Sequence, residues 1–267
     1  MTSLFLAFTN YDLISAPVWT GLSNFRKMFL ADQKFWKSLG VTFYFVLAGV
    51  PLRLAVALGV AVLLNKKAKG IGLYRAFFYL PSLLGGSVAV AIVWRQLFST
   101  DGILNSMISS LGIPFHFPWY GDTRTAIWTI IALSMWQFGS SMLIFLAGLK
   151  NISASYYEAA VVDGAGSMQK FRRITLPLLS PVILFNLIMQ LINSFKSFTE
   201  CYVITNGGPL DSTLVYALYL YRRAFEYFEM GYSSAMAWVL LVIVGILTLL
   251  TFKTSGGWVY YESGKAG

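Results

Sequence analysis

The chain has 267 residues, of which 57% are hydrophobic and only 12% charged, with a mean hydropathy of +0.66. Soluble domains sit near half apolar with about a quarter of their residues charged, so this composition excludes an ordinary soluble globular protein and points to a polytopic membrane protein. A net charge of +9 would suit a nucleic-acid partner in a polar chain. Here it is expected to reflect loop lysines and arginines that set orientation in a lipid bilayer, with no nucleic acid involved.

Lipid offers no partners to backbone polar groups, so helices of about 20 apolar residues are the expected spanning elements. Five complete spans are predicted, over residues 39–64, 77–98, 126–149, 178–204 and 233–252. The opening octet MTSLFLAF is too short to cross and reads as the end of a first helix that starts earlier. It lacks the basic lead and small-residue cleavage site of a signal peptide. The expected fold class is all-α: a polytopic helical membrane protein with about six transmembrane helices, the first one partial. No linker or second domain is visible, so residues 1–267 are expected to form one membrane domain.

Segments 65–76, 150–177 and 253–267 share one side and carry Lys66, Lys67, Lys69, Arg75, Lys150, Lys170, Arg172, Arg173, Lys253 and Lys265. Segments 9–38, 99–125 and 205–232 lie opposite, and their basic residues are balanced by acids. The positive-inside rule makes the first set cytoplasmic. Trp19, Trp36, Trp119 and Tyr120 fall near span ends or in outer loops, where amphipathic aromatics favour the interface. Cys201 and His116 are the only residues of their kinds, so neither a disulfide nor a metal site is expected.

One charged run stands between two apolar spans: EAAVVDGAGSMQKFRRITLP, residues 158–177. Residues 156–162 read as a short helix, with Ser153 or Ser155 as its N-cap. Gly164 and Gly166 free the backbone for a sharp turn. A second helix over 168–174 exposes Lys170, Arg172 and Arg173, and Pro177 is expected to end that register and open the next span. The product is a helix–turn–helix knob on two membrane helices. Such a knob suits a groove on a cytoplasmic partner, and an amphipathic loop lying on the membrane is the other reading.

The run resembles the signature loop of permease subunits of binding-protein-dependent ABC importers. That loop reads Glu-Ala-Ala, three residues, Gly, nine residues, then Ile-x-Leu-Pro, and Glu158, Ala159, Ala160, Gly164, Ile174, Leu176 and Pro177 fill it with every spacing kept. Stretches such as LLNKKAKGIGLYRAFFYLP (63–81), VWRQLF (93–98), DGILN (101–105), YVITNGGP (202–209) and YLYRRAFE (219–226) are similar to the carbohydrate-uptake branch, which includes maltose-type and oligosaccharide permeases. The similarity covers nearly the whole chain.

This resemblance implies a coupling loop, residues 150–177, that docks in a cleft of an ATPase subunit, with Glu158 as a contact and Gly164 as the turn. It implies a second, homologous permease, two copies of an ABC ATPase subunit, and an extracellular or periplasmic solute-binding protein. The setting implied is the bacterial or archaeal cell (inner) membrane, with the chain multi-pass and moving its solute by alternating access. The chain has no Gly-rich phosphate loop ending in Lys-Ser or Lys-Thr. It is therefore expected to be no enzyme and to hold no cofactor, with ATP and Mg on partner subunits.

The span from Leu178 carries a candidate substrate pathway. Asn186, Gln190, Asn193, Ser197 and Glu200 recur at helical steps and, in one continuous helix, fall within roughly 80° of one face. Lys196 borders that face four residues before Glu200, a spacing suited to an ion pair. The opposite face holds Leu184, Leu187, Ile188, Leu191, Ile192 and Phe195. A polar stripe of this kind lines a cavity or hydrogen-bonds neighbouring helices. Phe195, Phe198 and Tyr202 offer aromatic faces for a sugar, or are core.

Arg53, after Pro51, and Arg95, beside Trp94, also fall inside spans. With Lys196 they would bias a path toward an acidic oligosaccharide of the alginate or pectin type. A neutral sugar is the other reading, in which each arginine pairs with the partner permease or Arg95 snorkels to the outer interface beside Trp94. In the outer loop VITNGGPLDST, Gly207, Gly208 and Pro209 predict a tight turn, in a segment that resembles one near the outer gate of the family. The loop 99–125 offers too few features to assign. Rival functions are a permease for another solute, such as glycerol phosphate or a peptide, and a passive channel, which would need no coupling loop.

Overall fold

The computed structural model describes residues 2–66, 69–112 and 115–260. Lys67 and Lys265, counted above on the cytoplasmic side, lie outside the described residues. The chain opens with a single turn, α1 (Thr2–Leu6), and a short antiparallel pair, β1 (Thr9–Asn10) and β2 (Val18–Trp19), in which Thr9 faces Trp19. All other regular elements among the described residues are helical, as the composition requires. They begin with α2 (Ser23–Leu30) and the long α3 (Gln33–Leu64). Next come α4 (Ile71–Leu83), α5 (Val88–Leu97), α6 (Ile103–Ser110), α7 (Ala126–Trp136) and α8 (Gly139–Asn151). The charged run supplies α9 (Ala154–Val162) and α10 (Ser167–Lys170), and a π-helical turn, Phe171–Thr175, leads into α11 (Leu176–Phe195). Then follow α12 (Thr199–Ile204), α13 (Tyr216–Tyr221), a second π-turn (Arg222–Glu226) and α14 (Met230–Ser255).

Among the described residues, three helical runs are long and apolar enough to cross a membrane: Gln33–Leu64, Ser167–Phe195 and Met230–Ser255. Two further pairs qualify jointly but are bent, α4 with α5 by 98° and α7 with α8 by 44°. The predicted spans over 77–98 and 126–149 thus correspond to bent pairs rather than to single helices. At the first break Gly86 adopts a φ of +73°, a left-handed turn open to glycine and costly for other residues. The predicted span over 178–204 is shifted as well, because its helix starts at Ser167 and stops at Phe195. Pro177 does not end the second helix of the charged run. An α-helical register would press its ring into the carbonyl of Arg173, and the wide turn just before it, closed by the Leu176 amide donating to the Phe171 carbonyl, relieves that contact.

The chain forms two compact units, each discontinuous in sequence. The first comprises Met1–Ala48, Gly86–Leu133 and Ile192–Ile246. In it α5 packs on α12, Phe35 meets the buried Tyr216 edge-on, and Phe43 does the same with Phe195. Thr42 receives the Tyr216 amide on its hydroxyl at 2.7 Å and returns a hydrogen bond to the Ser38 carbonyl. The second unit comprises Gly49–Gly85, Ser134–Leu191 and Leu247–Gly267. There α4 packs on α8 around Met142, Phe145, Leu146 and Leu179, all buried. Gly139 makes that approach possible, because a Cβ at this position would stand 2.5 Å from the Phe78 carbonyl oxygen.

Large apolar side chains stay exposed along α14, among them Leu241, Val242, Ile246, Leu249 and Phe252. A soluble monomer rarely tolerates such a contiguous apolar face, whereas a bilayer covers it.

Candidate functional site

Ser153 caps α9, its hydroxyl accepting from the Ser155 amide, which settles the choice between the two serines. Along α9 only Tyr157 and Ala160 are half-buried, three residues apart and therefore on one face. Glu158 and Ala159 are exposed, as are Tyr156, Val161 and Val162. Gly164 has a φ of +74°, so the sharp turn expected there is present and depends on a residue without Cβ. The exposed apolar surface continues at Met168, while Ile174 and Leu176 are half-buried and Pro177 sits in the first turn of α11. The result is a projecting helix with one acidic side chain and an apolar surface, tied by Tyr157 to the start of α11: its hydroxyl lies 3.0 Å from Thr175 Oγ1.

The polar stripe does not survive as one continuous face. The turn after Phe195 tightens, with the Lys196 and Ser197 amides donating three residues back to Asn193 and Ser194. Asn186 and Gln190 belong to the second unit, and Asn193, Lys196, Ser197 and Glu200 to the first. Asn186 is fully buried, and neither atom of its amide has a partner among the described residues. Gln190 is 5% exposed and donates to Ser141 Oγ at 2.9 Å, an interhelical bond of the kind weighed against cavity lining. The exposed line along α11 runs instead through Phe185, Met189, Asn193 and the following Lys196. Ser197 donates to Glu200 Oε2 at 3.1 Å, and Lys196–Glu200 is not among the ion pairs of the described residues. Phe195 is core. Phe198 stacks on Tyr202 at 5.3 Å, and Tyr221 packs on both, an aromatic cluster whose third member gave no signal in the sequence.

Arg53 and Arg95 have structural partners. The bend between α7 and α8 frees the Gln137 carbonyl from helical bonding, and both Arg53 Nη2 and Ser82 Oγ donate to it. Ser82 Oγ in turn accepts the Ser140 amide at 3.1 Å. Arg95 donates to the Val203 carbonyl at 3.3 Å and lies over the Tyr120 ring.

Two polar centres in the predicted outer loops escaped sequence reasoning. Asn105 organises the loop 99–125, donating to the Thr100 and Phe117 carbonyls and accepting from Trp119 Nε1. Asp32 anchors a larger network. Its Oδ2 accepts from the Tyr219 and Tyr232 hydroxyls, each at 2.6 Å, and from Arg223 Nη2 at 3.0 Å, while Oδ1 accepts the Phe35 amide. Arg223 also pairs with Glu229, which binds Lys27. Burial pushes the Asp32 carboxyl up, but the two hydroxyls, the Phe35 amide and the Arg223 charge outweigh it and hold the group below the usual carboxylate value. These partners lie about 190 or more residues from Asp32 in sequence, beyond any local pattern. The predicted turn at Gly207–Pro209 is present, pinned by Thr213 Oγ1 donating to the Gly208 carbonyl. No three His, Cys, Asp or Glu side chains converge into a metal-binding group among the described residues.

A polytopic helical membrane protein with an exposed short helix at Ala154–Val162 and hydrogen-bonded connecting loops is the class these features define. Residues 28–260 match the family of binding-protein-dependent transport system inner membrane components, and the chain belongs to that family. It is 62% identical over 263 residues, 98% of this chain and 85% of the relative, to a probable ABC transporter permease protein, YesP, of Bacillus subtilis. It is 36% identical to the lactose transport system permease protein LacF of Rhizobium radiobacter, over 83% of this chain and 76% of that protein. It is 34% identical to the multiple sugar-binding transport system permease protein MsmF of Streptococcus mutans, over 94% and 86%. The fold is shared with the crystal structure of a bacterial ABC transporter involved in the import of the acidic polysaccharide alginate, at a TM-score of 0.81 and 21% identity over 96% of this chain and 87% of that one. The protein is thus a membrane-embedded ABC transporter permease, and its relatives are transport permeases rather than enzymes.

Proposed function

We propose that this chain is the single-domain permease subunit of an ATP-driven importer that moves a sugar or oligosaccharide into the cytoplasm by alternating access. The observation that carries the reading is the projecting helix Ala154–Val162 with its exposed Glu158, joined by the turn at Gly164 to a membrane-length helical run that starts at Ser167. Such a helix converts a push at its exposed face into movement of the span behind it. Glu158, Ala159, Ala160, Gly164, Ile174, Leu176 and Pro177 form the coupling element that meets an ATPase subunit, two copies of which bind ATP and Mg. A second, homologous permease completes the path, and a solute-binding protein delivers the cargo from outside. Relatives named for lactose and multiple-sugar transport support a saccharide over glycerol phosphate or a peptide.

The path for sugar is assigned to Asn186, Gln190, Asn193, Lys196, Ser197 and Glu200. Support comes from the unpartnered buried amide atoms of Asn186 and Gln190, the exposed Asn193 and Lys196, and the Ser197–Glu200 pair near the Phe198–Tyr202 stack. Arg53 is reassigned from charge selection to stabilising the bend at Gln137. With Arg95 engaged by Val203 as well, the motive for an acidic cargo rests on Lys196 alone, so a neutral oligosaccharide is the favoured substrate.

The test is ATP hydrolysis by the whole reconstituted importer, binding protein included, across neutral and uronic-acid oligosaccharides. Stimulation by neutral sugars supports the reading, and stimulation by the acidic set alone would reverse the choice of substrate. No response to any saccharide would overturn the carbohydrate assignment. Asn193→Leu and Gln190→Leu are expected to impair uptake more than ATPase assembly, and unchanged uptake would return both residues to helix packing.

A further inference from the structure

The helix Ala154–Val162 projects with seven of its nine residues exposed, and Tyr157 and Ala160 are its half-buried residues. Beneath it lies a cavity of about 230 Å³ whose walls include Val62, Asn65, Leu149 and Phe171 as well as Tyr157 and Thr175. The tyrosine ring borders open space rather than a close-packed core, and its hydroxyl makes an attachment to Thr175 Oγ1 at 3.0 Å. Thr175 is 6% exposed and is the last residue of the π-turn; its own hydroxyl reaches the Lys170 carbonyl at 3.5 Å. A chain from Tyr157 to Thr175 to the Lys170 carbonyl satisfies both hydroxyls and joins the projecting helix to the one place where the following span is not α-helical. A wide turn of this kind recurs at functional positions. A pull on Tyr157 is therefore delivered at that turn.

Resting on the importer reading above, we propose that Tyr157 and Thr175 are positioning residues that fix the angle of the Glu158 helix and transmit its displacement to the π-turn at the base of Leu176–Phe195. The helix caps and the Gly164 turn shape the projecting element, whereas this hydrogen bond sets how stiffly it is mounted.

The experiment uses the complete reconstituted importer with unsubstituted chain, Tyr157→Phe, Thr175→Val, the double variant and Thr175→Ser. It reads co-purification of the ATPase subunit, sugar-stimulated hydrolysis, and sugar taken up per ATP hydrolysed. Tyr157→Phe and Thr175→Val are each expected to retain the ATPase subunit yet lower uptake per ATP by about threefold to tenfold, the scale of one hydrogen bond. The double variant should be no worse than either, and Thr175→Ser should restore coupling. Normal uptake per ATP in both single variants would overturn the assignment, as would uptake falling only in step with lost ATPase subunit. Absence of sugar-stimulated hydrolysis in the unsubstituted importer would instead overturn the importer reading, and the assignment with it.

Discussion

Replacing Asp32 with Asn tests whether the outer network carries stability. The side chain of Asp32 is 5% exposed and its Oδ2 accepts from three donors, Tyr219, Tyr232 and Arg223. An amide keeps the Phe35 bond through its oxygen but turns an NH2 group toward those three donors. Removing one partner of a buried ion pair costs about 3–5 kcal/mol when the other charge is stranded. Arg223 keeps Glu229 at 2.9 Å, so its charge is not stranded. The lost bonds to two hydroxyls then dominate, and a cost of about 2–4 kcal/mol follows. At about 2–4 °C per kcal/mol for a chain of this size, the expected fall in Tm is about 4–16 °C. The assay is thermal unfolding of the purified protein in detergent, with Tyr232→Phe and the double variant completing a double-mutant cycle. A fall smaller than about 2 °C, or strictly additive losses, would refute the idea that the network works as a unit.

The same network predicts a pH dependence. The pKa of Asp32 is lowered in the folded protein, so its contribution is present in full above the unfolded value near 4 and is lost as pH falls through the folded value. The gap between parent and Asp32→Asn should stay constant between about pH 5 and 8 and close below about pH 4.

Glu158→Lys should leave thermal stability near that of the parent, because Glu158 is exposed, while abolishing co-purification of the ATPase subunit or its coupling to uptake; normal transport would remove Glu158 from the interface. Arg53→Ala should cost about 1.5–3 kcal/mol by withdrawing a charged donor from the Gln137 carbonyl, and should reduce uptake of acidic and neutral sugars equally; selective loss of acidic uptake would reinstate a role in charge selection. Gly139→Ala should be destabilising by about 1–3 kcal/mol, since its Cβ would meet backbone at Phe78 and Tyr79 rather than a flexible side chain; a neutral effect in thermal unfolding would show that the helices part easily there.

The membrane-spanning, all-helical class and the charged run at 158–177 were legible in the sequence because each is written in neighbouring residues. Twenty apolar residues in a row specify a membrane helix, and the Glu158–Pro177 pattern is a fixed spacing within one loop. Other features were not legible, for two reasons. The break at 84–87 is marked by Gly85 and Gly86 inside an apolar run, whereas the one at 196–198 carries no glycine or proline, so the stripe from Asn186 to Glu200 looked like one face and is not. The partner of an arginine inside a span could not be read from its neighbours, and Arg53 answers a carbonyl freed by a bend 84 residues away. A buried carboxylate such as Asp32 is indistinguishable in sequence from a loop aspartate until Tyr219, Arg223 and Tyr232 close around it. Local periodicity, charge and spacing therefore determined what kind of protein this is and which loop projects from it. Only the tertiary structure decided which polar groups are satisfied, because a hydrogen-bond partner is chosen by proximity in space, and proximity across such separations follows from packing rather than from sequence order.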